Sequence, residues 1–319
     1  MAQLNLGKVG VLMGGPSTER EISLKSGSAV YESLKQAGVD AVAVDIKTEE
    51  KEDNARLLRS SMIDIAFIAL HGRFGEDGQV QGILEELDIP YTGSGVKASR
   101  LAMDKAASRG ILEGAGLAVP RYKTEQKSFY RKDWVYRNDD FSLPLVVKPS
   151  GHGSSVGLSI VEKEENFESS AELAFSFDEK IIIEEYIKGR EMTVGILGKT
   201  PLPVIEIVPK RQFFDYEAKY HAGMTDYVVP ARLDEEAAAR LQQAALSAHV
   251  LLGCYGCSRV DIILSDDGVP FILEVNTIPG LTATSLLPKA AKVIGIDFFQ
   301  LCAELIRLGY EKKKDQIAG

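Results

Sequence analysis

The chain has 319 residues, 45% of them hydrophobic and 26% charged, with a formal net charge of −9. That suits a soluble globular protein of two or three domains, and the acidic balance excludes a general nucleic-acid binder while leaving room for a local basic pocket for phosphates. No apolar run approaches a membrane span, the opening MAQLNLGKVGVLMGG does not read as a secretory signal, and three cysteines cannot all pair, so the expectation is a cytoplasmic protein.

The first hundred residues alternate. Strands are predicted at 8–13, 40–46 and 64–70, and helices from about 19 to 37, weakly near 51–60, and over 78–87. Such alternation predicts an α/β fold with a parallel sheet and helices on its faces. Residues 94–116 carry apolar residues at helical spacing and end on glycine. From 121 short strands dominate, at 144–148, 156–161, 180–186, 191–197 and 203–208, as in a second domain. A strong amphipathic helix over 234–253 precedes strands at 258–264 and 269–276, joined by the turn SDDG, and two helices finish the chain. The least regular stretches lie near 127–142 and 210–230.

Residues two apart on a strand share a face. Arg259 and Asp261 therefore project together from SRVDIIL, and Glu274 and Asn276 from FILEVN. A tight turn pairs the two strands antiparallel, so Asp261, Glu274 and Asn276 can converge. Three hard oxygen donors beside an arginine suit Mg²⁺ that also meets substrate phosphates; the plainer alternative is an exposed strand face. In LVVKPSGHGSSVGLSIV (145–161), glycines and serines form a donor-rich loop able to surround phosphate oxygens, with Lys148 at the end of the incoming strand. An ordinary hairpin loop is the alternative there.

Other motifs are weaker. Gly153–Gly157 fits G-x-S-x-G with Ser155 as nucleophile, but a strand rather than a helix follows. The only later histidines are His221 and His249, and His249 lies in a predicted helix. TGSGVKA (92–98) fits a variant dinucleotide fingerprint after a poor strand, LDIPY, and no Walker loop is present. Cys254 and Cys257 form a C-x-x-C with no second pair, so buried thiols are expected rather than zinc. Glu19, near the start of the first helix, is a cap or a ligand for an ammonium group. It can share a pocket with His71, because loops leaving neighbouring strands meet at one edge. Glu184 and Glu191 end one strand and start the next, where acids can read an adenine amino group and ribose hydroxyls or remain merely solvated.

GGPSTEREISLKSG, ALHGRFGEDGQVQGILEELDIPYTGSG, AMDK, VVKPSGHGSSVG, DYEAKY, RVDI and LEVNTIPGLTATSLLP follow one another along the chain. In that order they resemble D-alanine–D-alanine ligases, members of the ATP-grasp superfamily, from about Lys8 to about Leu305. The resemblance implies a three-domain ATP-grasp architecture: an N-terminal Rossmann-like parallel-sheet domain (1–98), a central ATP-grasp subdomain (99–185) and a C-terminal one (186–319). It implies that ATP activates one D-alanine as an acyl phosphate, which the amine of a second attacks, giving D-alanyl-D-alanine for peptidoglycan. A homodimer is implied as well.

By the same resemblance, Lys105, Lys148 and Lys219 would contact the ATP phosphates. Glu184 would meet the adenine amino group and Glu191 the ribose, with Glu185 and Ile187 also at the nucleotide. Asp261, Glu274 and Asn276 would hold two Mg²⁺ ions, with Mn²⁺ as an alternative. Arg259 and the Gly280 N–H would stabilise the oxyanion of the tetrahedral intermediate. Glu19, with His71 nearby, would bind the first D-alanine, and Ser285 and Leu286 the carboxylate of the second. Glu19, Ser154 and Tyr220 would form a hydrogen-bonded set. Tyr220, the last residue of DYEAKY, favours a dipeptide product over the depsipeptide of D-lactate-using relatives. Gly151-His152, Ile278 and Leu281 depart from the commonest pattern, none at a proposed catalytic side chain.

Overall fold

The computed structural model describes residues 6–130, 141–153, 156–209 and 225–318. Its first sheet is built on β1 (Val9–Gly14), whose six residues are all buried. A strand buried on both faces must lie inside a sheet covered by helices. β1 pairs in parallel with β2 (Ala41–Ile46) and β3 (Ile65–Ile68), giving the order β2-β1-β3. α1 (Arg20–Gln36), α2 (Lys51–Ser61) and α3 (Gln79–Glu86) follow the three strands in turn. LDIPY contributes an isolated parallel bridge, Tyr91 to Ala66, consistent with a proline that has no N–H to donate.

The single helix expected over 94–116 is two helices, α4 (Val96–Met103) and α5 (Lys105–Gly114). Asp104 between them is extended, and its carboxylate accepts from the N–H groups of Ala106 and Ala107. This is an N-cap. Apolar spacing reports which face is buried; it is blind to a cap that ends one helix and starts the next.

The middle of the chain forms an antiparallel sheet of β4 (Tyr122–Gln126), β5 (Leu145–Pro149), β6 (Ser159–Val161) and β7 (Lys180–Glu185), in the order β4-β7-β5-β6. α6 (Phe167–Phe175) packs Phe167, Ala171 and Phe175 against Leu145, Val147 and Ile183. β4 is polar and half-exposed and α6 is short and set among strands, so neither stands out in the hydrophobic pattern.

A third sheet carries β8 (Gly189–Leu197), β9 (Thr200–Pro201), β10 (Ile205–Pro209), β11 (Thr225–Val228), β12 (Cys257–Ser265) and β13 (Pro270–Asn276). Its order is β11-β10-β8-β12-β13, with β9 on β8. α7 (Glu235–Leu251) packs Leu241, Ala245 and Ala248 onto this sheet. His249 of α7 is buried, with Nδ1 2.7 Å from Ser258 Oγ, and burial pushes its pKa down to about 4. It is a core histidine, unsuited to serve a nucleophile. The three cysteines are also buried, and desolvation pushes each thiol up to about 12, as expected of small hydrophobes.

α8 (Leu286–Val293) and α9 (Phe298–Ala318) close the chain. Leu287, Ala290, Leu301, Leu305 and Ile306 share one core with Val9, Val11, Phe67 and Val30 of the first sheet and its helix. The C-terminal helices thus join the first and third sheets.

Candidate active site

Backbone register brings the four residues of the strand pair together. Arg259 stands opposite Asn276 and Asp261 opposite Glu274, with an irregularity just after Asp261. Such a bulge re-aims side chains at the end of a ladder. Arg259 grips Asp261 with a fork, Nε to Oδ1 at 2.8 Å and Nη2 to Oδ2 at 2.7 Å. Asn276 Nδ2 donates to Asp261 Oδ2 at 3.2 Å, and Thr193 Oγ1 to Oδ1 at 2.7 Å. Glu274 lies 3.3 Å from Lys105 Nζ.

Among the described residues no group of three or more His, Cys, Asp or Glu side chains could hold a metal ion. The set here is two carboxylates and a carboxamide, all offering oxygen, and the carboxylates are partnered by Lys105 and Arg259. Hard oxygen donors that share their site with cations fit Mg²⁺.

A cavity of about 590 Å³ separates the middle sheet from the third. Lys148, Glu184 and Glu185 line it from the middle sheet, Ile187 from the connection into β8, and Glu191 from the start of β8. Lys105, Asp261 and Glu274 line its far side. Lys148 Nζ is 2.8 Å from Glu184 Oε1. Burial pushes the Lys148 pKa down to about 8, with Arg109 and Lys105 adding to that effect and Glu184 opposing it. Burial pushes Glu184 the other way from its cations, and Arg109 and Lys148 prevail, holding its carboxyl below the usual range. Glu185 is held by Arg121, through Nε at 2.8 Å and the backbone N–H at 3.0 Å.

Glu19, His71, Arg259, Asn276, Gly280, Ser285 and Leu286 are not on the walls of that cavity. Glu19 precedes α1, yet its carboxylate makes no capping bond. A Cβ on Gly72 would come within 2.6 Å of Glu19 Oε2, and one on Gly153 within 3.8 Å. The carboxylate therefore lies between the loop after β3 and the glycine-serine loop. Gly72 has φ of +72°, so both its conformation and its space require glycine. His71 Nε2 is 3.0 Å from Ser26 Oγ, and its Nδ1 is 3.4 Å from Glu76 Oε1. Ser26 Oγ also accepts the Leu281 N–H at 3.4 Å. His71 is thereby tied to the loop that carries Gly280.

Ser285 immediately precedes α8, and Leu286 is the helix's first residue. Ser285 Oγ accepts the Thr282 N–H at 3.0 Å and meets Thr282 Oγ1 at 2.8 Å. No side chain caps α8, so its N-terminal end suits an anion. A Cβ on Gly280 would stand 3.0 Å from Ser285 Oγ. Ser154, Ser155, Lys219 and Tyr220 lie outside the described residues.

Arg109, Thr193, Arg121 and Ser26 were missed by the sequence reading. Arg109 was the most legible: Lys105, Ser108, Arg109 and Leu112 form the buried stripe of α5. A guanidinium at a core position needs a partner. Arg109 is 1% exposed and pairs with Glu184 through Nη1, while its Nη2 donates to the Leu273 carbonyl at 3.3 Å.

A family model described as D-ala D-ala ligase C-terminus matches residues 111–307, and one described as D-ala D-ala ligase N-terminus matches 8–57 and 47–94. The chain is 49% identical over 305 residues to a D-alanine–D-alanine ligase of Geotalea uraniireducens, covering 95% of this chain and 96% of that protein. It is 48% identical over 312 residues to one of Pelotomaculum thermopropionicum, covering 95% and 97%. Among solved structures, a Bacillus anthracis D-alanine–D-alanine ligase complexed with ATP matches with a TM-score of 0.85 and 35% identity, covering 97% of this chain and 99% of the other. The VanG D-Ala:D-Ser ligase of Enterococcus faecalis matches at 0.82 and 34%, covering 95% and 99%.

Proposed function

The chain belongs to the D-alanine–D-alanine ligase family, and from that premise we propose how its residues carry the reaction. It is an ATP-dependent ligase that joins two D-alanine molecules into D-alanyl-D-alanine, through a D-alanyl phosphate, for peptidoglycan synthesis. The observation that carries the residue assignment is the meeting of Lys105, Lys148, Asp261 and Glu274 on one cavity between two sheets.

ATP lies in that cavity. Lys105 and Lys148 hold its phosphates, Glu184 with Glu185 and Ile187 faces the base, and Glu191 faces the ribose; Lys219 approaches the γ-phosphate. Asp261, Glu274 and Asn276 would hold two Mg²⁺ ions, with Mn²⁺ as an alternative, and the bound ions would neutralise phosphate charge and polarise the transferring group. Glu19 takes the ammonium of the first D-alanine beside His71, whose tie to Leu281 through Ser26 keeps this end of the site next to Gly280. The carboxylate of that D-alanine attacks the γ-phosphorus and ADP leaves.

Ser285 and the Leu286 N–H hold the carboxylate of the second D-alanine at the start of α8. Its amine attacks the acyl carbon, and the negative charge that forms on oxygen is met by Arg259 and the Gly280 N–H. Asp261 fixes the plane of the Arg259 guanidinium through two bonds, so little reorganisation is needed as charge develops. Collapse expels phosphate. Ser154 and Tyr220 join Glu19 in closing the site, which protects the acyl phosphate from water. D-alanine as second substrate rests on Tyr220, which ends DYEAKY. We further infer three domains divided at 1–98, 99–185 and 186–319, a homodimer, and a cytoplasmic location; among the described residues no helix is long and apolar enough to cross a membrane.

Phosphate release from Mg-ATP, measured with D-alanine, L-alanine and no amino acid, tests the reading. Release that requires D-alanine and equals the dipeptide formed is expected. Release that ignores D-alanine would overturn it.

A further inference from the structure

Arg109, Glu184 and Lys148 form a buried trio at the edge of the cavity, exposed by 1%, 3% and 7%. Glu184 gives Oε1 to Lys148 and Oε2 to Arg109. We propose that Arg109 is a positioning residue of the nucleotide cleft: by taking Glu184 Oε2 and the Leu273 carbonyl, it keeps the Lys148 ammonium available to the ATP phosphates. The proposal rests on the reading of Lys148 as a phosphate contact.

Lys148 and Glu184 alone would be a closed neutral pair, 2.8 Å apart, offering little to an anion. With Arg109 the trio holds two cations and one carboxylate, a net positive charge in a site sheltered from water, where it acts strongly. Arginine supplies that charge at any working pH, and its planar fork can serve two acceptors at once.

Arg109 does not line the cavity, whereas Lys148, Glu184 and Leu273 do, so it acts through them. It lies four residues after Lys105 on the same face of α5. The two cations reach consecutive residues of β13: Lys105 the Glu274 carboxylate at 3.3 Å, and Arg109 the Leu273 carbonyl at 3.3 Å. Arg109 also stands 5.5 Å from the ring centre of Tyr122, and Tyr122 is the β4 partner of Glu184. One side chain therefore links α5, β4, β7 and β13 around the Lys148 ammonium.

Among the described residues, the charged groups facing Lys148 are Glu184 from β7 and Arg109 and Lys105 from α5. Arg109 disfavours the Lys148 proton, so its removal raises the pH at which Lys148 loses charge. A brace with no electrostatic role would not do this.

The test uses full-length Arg109→Met, Arg109→Lys and Lys148→Met proteins. KM for ATP, KM for D-alanine, kcat and binding of ADP by equilibrium dialysis are measured from pH 6 to 9.5. Arg109→Met is expected to raise KM for ATP roughly ten- to hundredfold, the scale of one lost charge-assisted contact. D-alanine KM should stay near wild type, and the alkaline fall in ADP binding should move to higher pH. Arg109→Lys should recover part of the ATP affinity. Lowered thermal stability with unchanged ATP KM and pH profile would overturn the proposal and leave Arg109 a brace. If Arg109→Met does not fold, Arg109→Lys decides: a several-fold rise in ATP KM alone is expected, and wild-type kinetics overturn the proposal. Lys148→Met with wild-type ATP KM would remove the phosphate reading and this proposal with it. A defective Lys148→Met beside a normal Arg109→Met removes only the role of Arg109.

Discussion

Glu184→Gln should strip two buried cations of their common counter-ion. The carboxylate is 3% exposed, lies 2.8 Å from Lys148 Nζ and pairs with the Arg109 guanidinium. The amide keeps the volume and loses the charge. Lys148 can relieve itself by releasing a proton, since burial already holds its pKa near 8. Arg109 cannot, so the uncompensated guanidinium sets the scale, about 3–5 kcal/mol for removing one partner of a buried pair. That corresponds to a fall in melting temperature on the order of 10 °C. The sign with pH follows from the Glu184 carboxyl being held below its ordinary range. Its contribution is fully present above the unfolded pKa, near 4.5, and is lost as pH falls through the folded value. Urea unfolding of wild type and variant at several pH values is the assay. The deficit should be large at pH 7, smaller above pH 9 where Lys148 no longer needs a counter-ion, and should close in acid. A melting temperature within about 1 °C of wild type at pH 7 would refute the argument, since a buried pair should show a far larger effect.

Glu274→Ala should abolish turnover more than folding, because it removes a proposed metal ligand at the end of β13; near-normal turnover at saturating Mg²⁺ would sink the metal assignment. Lys312→Met tests a different burial. The Lys312 ammonium donates to the Gly93 carbonyl at 2.8 Å and lies 3.4 Å from the centre of the Tyr91 ring. Desolvation pushes its pKa down to about 7, against the pull of Glu85. A lysine with a lowered folded pKa penalises the native state while charged, so wild-type stability from this group rises with pH above about 7, by about 1.4 kcal/mol per unit. The stability of Lys312→Met relative to wild type should therefore decline between pH 7 and 9, as read by urea midpoints, and a pH-independent difference would contradict it.

Local patterning by itself determined much of this protein. Continuous apolar runs made β1 and β3 buried strands, and two-residue spacing put Arg259 with Asp261 and Glu274 with Asn276. The short turn SDDG sufficed to predict that their strands pair, and the register sets Asp261 opposite Glu274. These features depend on neighbours a few residues away, which is the range over which periodicity and turn chemistry act. The order of the long motifs carried the family and with it the ATP-grasp fold.

Tertiary structure decided the rest, because it depends on groups far apart in the chain. Asp104 divides a stretch whose apolar spacing reads as one helix, and it does so as a cap, which periodicity does not register. The Glu184 carboxylate looks like an acid at a strand end; only the fold reveals its commitment to Arg109, 75 residues away, and to Lys148. His71 reaches the loop of Gly280 through Ser26, whose hydroxyl takes an N–H from a residue 255 positions along the chain. A buried charge must find its counter-charge wherever the packing brings one. Which residue answers it is settled only when the sheets and helices have come together.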